Sequence, residues 1–108
     1  MTSVIFKKKN EKLIAFKIEG HAGFDDFNKD IVCSAISAIS QTTLIGILEV
    51  LKIHAEYSVE DGFLSVSIEK KSMDDIEKCQ VLLQTMLLGL KSMEISYGNF
   101  VNVKEEEV

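Results

Sequence analysis

Proline and arginine are both absent from the 108 residues. Without proline there is no proline-rich linker, and no low-complexity stretch or solenoid-period repeat divides the chain. Its length allows one domain, read as residues 1–104, with residues 105–108 as a frayed acidic tail. The lack of arginine leaves lysine as the only base among 12 basic residues, against 17 acidic ones, for a net charge of −5. Proteins that read nucleic acid show basic stripes and arginine forks. Here the basic clusters are Lys7–Lys9 and Lys70–Lys71, which read as solvated strand ends. Nucleic acid is therefore set aside as a partner, and a basic partner such as a lysine-rich peptide suits the acidic surface better. No uninterrupted apolar run reaches the roughly 18 residues of a membrane span, since Gln84 and Thr85 break Val81–Leu90. The opening Met1–Asn10 carries its lysines after its apolar residues, the reverse of a secretory signal. The expectation is a cytoplasmic protein without a membrane partner.

Cysteine is scarce too. Cys33 and Cys79 form no C-x-x-C pair and have no matching histidine pair for zinc, and a structural disulfide is not expected in a reducing compartment. His21, Asp25, Asp26 and Asp30 lack the ordered oxygen spacing of a calcium loop, so no metal and no cofactor is expected. What is present is a core-forming composition: 46% hydrophobic and 27% charged residues, which excludes disorder for the bulk of the chain.

The pattern predicts short strands at Val4–Phe6 and Leu13–Glu19 around an Asn10-Glu11 turn. Gly20 to Lys29 reads as a loop, and Asp30 to about Lys52 as a helix with Ile31, Ala35, Ala38, Ile39 and Ile45 at helical spacing. Ala55–Val59 and Phe63–Glu69 make a second hairpin through the turn signal Asp61-Gly62. Ser72 reads as the N-cap of a helix reaching about Met93, and Gly98–Lys104 as a last strand. The order β-β-α-β-β-α-β predicts a two-layer α+β fold, a mostly antiparallel sheet with both helices on one face. Ile76, Cys79, Leu83, Met86, Leu87 and Leu90 suffice for the sheet-facing stripe of the second helix. Val81, Leu82 and Leu88 lie off that stripe, as do Ile47, Leu48, Val50 and Leu51 in the first helix. Such surplus predicts a homodimer through the helices.

The unusual segment is Gly20-His21-Ala22-Gly23, a polar loop, then Asp30-Ile31-Val32-Cys33-Ser34-Ala35-Ile36-Ser37-Ala38. With Asp30 as N-cap, Cys33 would be the third helical residue, over the free N–H groups and the positive end of the helix dipole. That setting and a nearby imidazole both favour thiolate over thiol. His21 can take the thiol proton and return it to a leaving amine, and first-turn N–H groups can receive an oxyanion. From those two residues alone, a small core cysteine and a solvated strand-end histidine with purely structural roles are the commoner reading. Cys79, on the sheet-facing stripe, reads as inert packing.

These two segments resemble the signature of the ribosomal-processing cysteine protease family, Prp: a G-H-A triplet, then D-I-V-C-x-A-x-S, with twelve residues from His21 to Cys33. The resemblance implies a cysteine endopeptidase that removes the short N-terminal extension of a large-subunit ribosomal protein. It implies Cys33 as nucleophile, His21 as its partner, and Asp30 and Ser37 as supports of the helix start and the site. It further implies a flap over Gly23–Lys29, carrying Phe24 and Phe27, that orders over the peptide. Two other classes stay open: a small dimeric binding or regulatory module, and a thiol-redox sensor using Cys33 without a peptide substrate.

Overall fold

The computed structural model describes residues 1–20 and 27–108, with the side chains of 27–30 outside that description. Strand β1, Thr2–Lys9, turns through Asn10 and Glu11, both at positive φ (51° and 66°), into β2, Lys12–Glu19. Asparagine tolerates this left-handed region better than most residues, which suits a two-residue hairpin turn. The hairpin pairs Val4 with Ile18 and Phe6 with Phe16, and the two phenylalanine rings meet at a centroid distance of 5.8 Å. Helix α1, Phe27–Ile45, runs on through one π-helical turn, Gly46–Val50. Strands β3, Glu56–Glu60, and β4, Phe63–Ser67, follow, turning at Asp61 and Gly62, the glycine at φ 72°. Helix α2, Met73–Tyr97, and strand β5, Val101–Glu107, complete the chain.

The sheet order is β3-β4-β2-β1-β5, antiparallel except for the parallel pair β1–β5. Val4, Phe6, Phe16, Ile18, Leu64, Val66 and Val101 are buried on one sheet face, while Ser3, Lys17, Ser65 and Ser67 on the other reach solvent. One buried face places both helices on the same side, giving the two-layer α+β architecture predicted from the pattern. Ser72 caps α2 as expected, its hydroxyl accepting from the Asp75 N–H at 3.1 Å. All six residues named for the sheet-facing stripe of α2 are buried.

Three details differ from the sequence reading. The stripe of α1 is out of phase: Ile31, Ala38 and Ile45 are exposed, and the core instead receives Val32, Ile36, Ser40, Thr43, Leu44 and Ile47. Ser40 and Thr43 disguise this face, and their hydroxyls lose nothing by burial because they donate to the Ile36 and Ile39 carbonyls. Ile47 is therefore core rather than surplus, and Leu48 and Leu82 pack against it. The segment Ile31–Val50 is long and apolar enough to cross a membrane by length and composition, with 28% of its most apolar window buried against the rest of the chain. The expected frayed tail is the second difference. Glu105–Glu107 pair with Phe6–Lys8, and the Val108 N–H donates to the Lys8 carbonyl at 2.9 Å. Lys8 and Lys91 both pair with Glu105, and Glu94 accepts the outward Val103 N–H at 2.7 Å, so local lysines and a side-chain acceptor hold an acidic strand in place.

The third difference bears on the site. Helix α1 begins at Phe27 rather than Asp30. Nothing in the sequence between Phe27 and Asp30, neither glycine nor proline, breaks a helix. The last three residues of the predicted loop, Phe27 to Lys29, are thus helical, and residues 21–26 lie outside the described residues.

Candidate functional site

Counting from Phe27, Cys33 is the seventh residue of α1 and not the third. Only the first four N–H groups of a helix are free, and the dipole acts within the first turn. Cys33 therefore lies beyond the first turn of α1, and the expectation of Cys33 as the third helical residue, directly over the helix start, does not stand. The helix does place Cys33 beside the buried Val32 and Ile36, so that its side chain is half-buried at the boundary between core and solvent. Ser37, one turn on, shares that wall. Its hydroxyl is exposed and accepts from the Gln41 amide at 2.8 Å.

The sulfur of Cys33 lies 3.1 Å from the hydroxyl oxygen of Thr2. Thr2 is 3% exposed and begins β1, with its N–H donated to the Phe100 carbonyl at 2.9 Å. Gly20, the last described residue before the histidine, ends β2 against this same threonine. A Cβ at Gly20 would stand 2.8 Å from both the Met1 carbonyl oxygen and the Thr2 Cα, and the residue sits at φ 145°. Only glycine combines that backbone angle with that approach. The Gly20 N–H donates to the Gly62 carbonyl at 3.0 Å, so one residue joins the starts and ends of β1, β2 and the β3–β4 turn.

These elements enclose a cleft of about 570 Å³. Cys33, Ser34, Ser37 and Gln41 of α1 form one wall, the β3–β4 turn with Glu60, Asp61 and Phe63 forms the other, and Thr2, Ile18 and Gly20 lie between. The cleft is open, mixed in polarity and carries acid on the turn side. Chemically it offers one accessible sulfur, hydroxyls and carboxylates, a combination suited to a nucleophile acting on an extended polar chain with basic groups.

The two cysteines are sharply divided. Both are free, but Cys79 is fully buried in the core. Burial, with the Asp75 carboxylate adding to it, pushes its thiol up to about 11, which makes it unreactive near neutrality. His54 is exposed between α1 and β3, away from the cleft lining. His21, Gly23 and Phe24 lie outside the described residues, as do the side chains of Phe27 and Asp30. The sequence reading missed Thr2, for which nothing in the local pattern gives a signal. It also missed Gln80, a lone polar residue within an apolar stripe.

Comparison with known proteins follows the same lines. The family described as cysteine protease Prp matches residues 1–102. The ribosomal processing cysteine protease Prp of Bacillus subtilis (strain 168) is 22% identical over 107 residues, covering 95% of this chain and 96% of its own. A crystal structure of the ribosomal processing protease Prp from S. aureus in complex with a substrate peptide superposes with a TM-score of 0.85 at 22% identity, covering 98% of this chain and all of that one (100%). A second, with a covalently linked product peptide, gives a TM-score of 0.82 at 24% identity over the same shares, 98% and 100%.

Proposed function

The chain belongs to the cysteine protease Prp family, and on that premise we propose that it removes the short N-terminal extension of a large-subunit ribosomal protein, with Cys33 as nucleophile and His21 as its proton partner. The observation that carries the reading is the position of Cys33, the accessible one of two cysteines, half-buried in the wall of an open cleft. Its sulfur attacks the scissile carbonyl after His21 takes the thiol proton. His21 then gives that proton to the departing amine, and water hydrolyses the remaining thioester to release the extension and restore the thiol. The covalently linked product peptide in the S. aureus relative is the kind of species such a cycle passes through. Asp30 and Ser37 support the site, and Gly23, Phe24 and Phe27 cover the bound peptide. Glu60 and Asp61 on the cleft's turn side, with the net charge of −5, favour a basic substrate segment.

The working form is a homodimer through the helices, in the cytoplasm, where both thiols stay reduced. Support for the dimer comes from two exposed apolar lines, each spaced by seven residues: Ile31, Ala38 and Ile45 on α1, and Val81, Leu88 and Ile95 on α2. A spacing of seven keeps each line on one helix face, leaving an unpartnered apolar stripe that a second copy can cover.

The test is to incubate the protein with the extended ribosomal protein of its own genome and read product masses. The wild type is expected to release one N-terminal fragment and Cys33→Ala none. An intact substrate with the wild type, but rapid alkylation of Cys33, would instead favour a thiol sensor.

A further inference from the structure

Thr2 is an odd residue for its place. It starts β1, a strand paired on both sides, and points to the same buried face as Val4 and Phe6. Packing alone would be met by valine, which has the same shape and the same preference for strands. Threonine is mostly exposed in proteins, and a buried hydroxyl without a partner costs free energy. Here the partner is the Cys33 sulfur at 3.1 Å.

We propose that Thr2 is the positioning residue of the nucleophile: its hydroxyl holds the Cys33 sulfur at the cleft and donates to that sulfur once it is charged. The inference rests on the reading of Cys33 as nucleophile. While the sulfur carries its proton, either atom can donate. After the proton leaves for the histidine, the sulfur can only accept, and the Thr2 O–H turns to donate to it. A hydrogen bond to a charged acceptor is about twice as strong as a neutral one. The bond therefore strengthens as the nucleophile forms and weakens again when the sulfur becomes a neutral thioester. Neither step moves an electron or a proton to Thr2. The backbone around Thr2 is fixed on two sides, by the Phe100 carbonyl and by Gly20 packed against its Cα. The hydroxyl is thus carried by a held stretch of strand and faces a sulfur carried by the helix. Because Gly20 immediately precedes His21 in the chain, the same threonine ties the approach to the histidine to the position of the cysteine.

The experiment compares Thr2→Val, Thr2→Ala and Thr2→Ser with the wild type, and Cys33→Ala as reference. Cleavage of the extended substrate gives kcat and KM, and iodoacetamide labelling mapped to the Cys33 peptide gives the reactivity of the sulfur without substrate. Thr2→Val is expected to lose about tenfold or more in kcat with KM within about twofold, and to label more slowly near neutrality. Thr2→Ser is expected to stay close to wild type in both. Serine and alanine differ at this position only by the hydroxyl, so that pair gives the answer even if valine disturbs the strand. If Thr2→Val and Thr2→Ala lower only the melting temperature, and leave kcat and labelling at the serine level, Thr2 is a packing residue and the proposal fails. If Cys33→Ala still cleaves, the nucleophile reading itself fails, whatever Thr2 does.

Discussion

Gly20→Ala probes the junction on which the site is built. The added Cβ would stand 2.8 Å from the Met1 carbonyl oxygen and from the Thr2 Cα, both backbone atoms that cannot swing aside as a side-chain tip can. The φ of 145° is also one that alanine rarely adopts. Backbone strain of this kind costs about 1–3 kcal/mol, and overpacking a close contact costs about as much again, so a loss of about 2–6 kcal/mol is expected. For a domain of this size each kcal/mol moves the melting temperature by about 4–8 °C, so the drop should reach at least about 8 °C. Relief of the clash must shift the start of β1, and with it Thr2 and its contact to Cys33, so cleavage should fall even well below the new melting point. Gly89 is the matched control, because a Cβ there meets nothing within 4 Å. Inside a helix, Gly89→Ala should be neutral or stabilising by up to about 1 kcal/mol. Differential scanning fluorimetry and a cleavage assay on the two variants suffice. A Gly20→Ala protein melting within about 2 °C of wild type and cleaving normally would refute the reasoning.

Gln80→Leu should destabilise by about 2–4 kcal/mol in urea titration, because the Gln80 amide both accepts the Leu13 N–H and donates to the Leu13 carbonyl, each at 2.8 Å, and leucine leaves two buried backbone groups unpaired; a change under about 0.5 kcal/mol would contradict this. Leu88→Glu should shift sedimentation to the monomer with unchanged circular dichroism, since Leu88 is 65% exposed in the single chain, whereas Leu48 and Leu82 pack against the core and are poor probes; a wild type that sediments as a monomer at high micromolar concentration would end the dimer proposal. The hydrogen bond from Lys91, with Lys8 nearby, holds the Glu105 carboxyl below its usual range. A lowered folded value means a contribution present above the unfolded pKa of about 4.3 and lost as pH falls through the folded one. The melting-temperature gap between wild type and Glu105→Gln should therefore be open at pH 7 and close in acid; a gap independent of pH would contradict the pairing.

How far the sequence revealed this molecule depended on whether a pattern was local. Both hairpins were legible because Asn10-Glu11 and Asp61-Gly62 announce their own turns, and α2 because Ser72 caps it and its polar residues break the apolar face unevenly. The phase of α1 was not legible. That helix carries apolar residues on more than its buried side, and its buried stripe contains Ser40 and Thr43, whose hydroxyls bond back to their own helix. The parallel pairing of β5 depends on a strand almost a hundred residues away, so the acidic run 105–107 read as a tail. At the site, the cysteine was visible through its motif, while its contact with Thr2 was not, because no periodicity links the second residue of the chain to the thirty-third.

The central claim is that Cys33 attacks the peptide. A chloromethyl ketone carrying the substrate residues before the scissile bond should alkylate the wild type once, abolish cleavage, and map by tandem mass spectrometry to the peptide containing Cys33. Cys33→Ala should take no label, and Cys79→Ala should be labelled like the wild type. Label on Cys79, or full inactivation with Cys33 unmodified, would contradict the account.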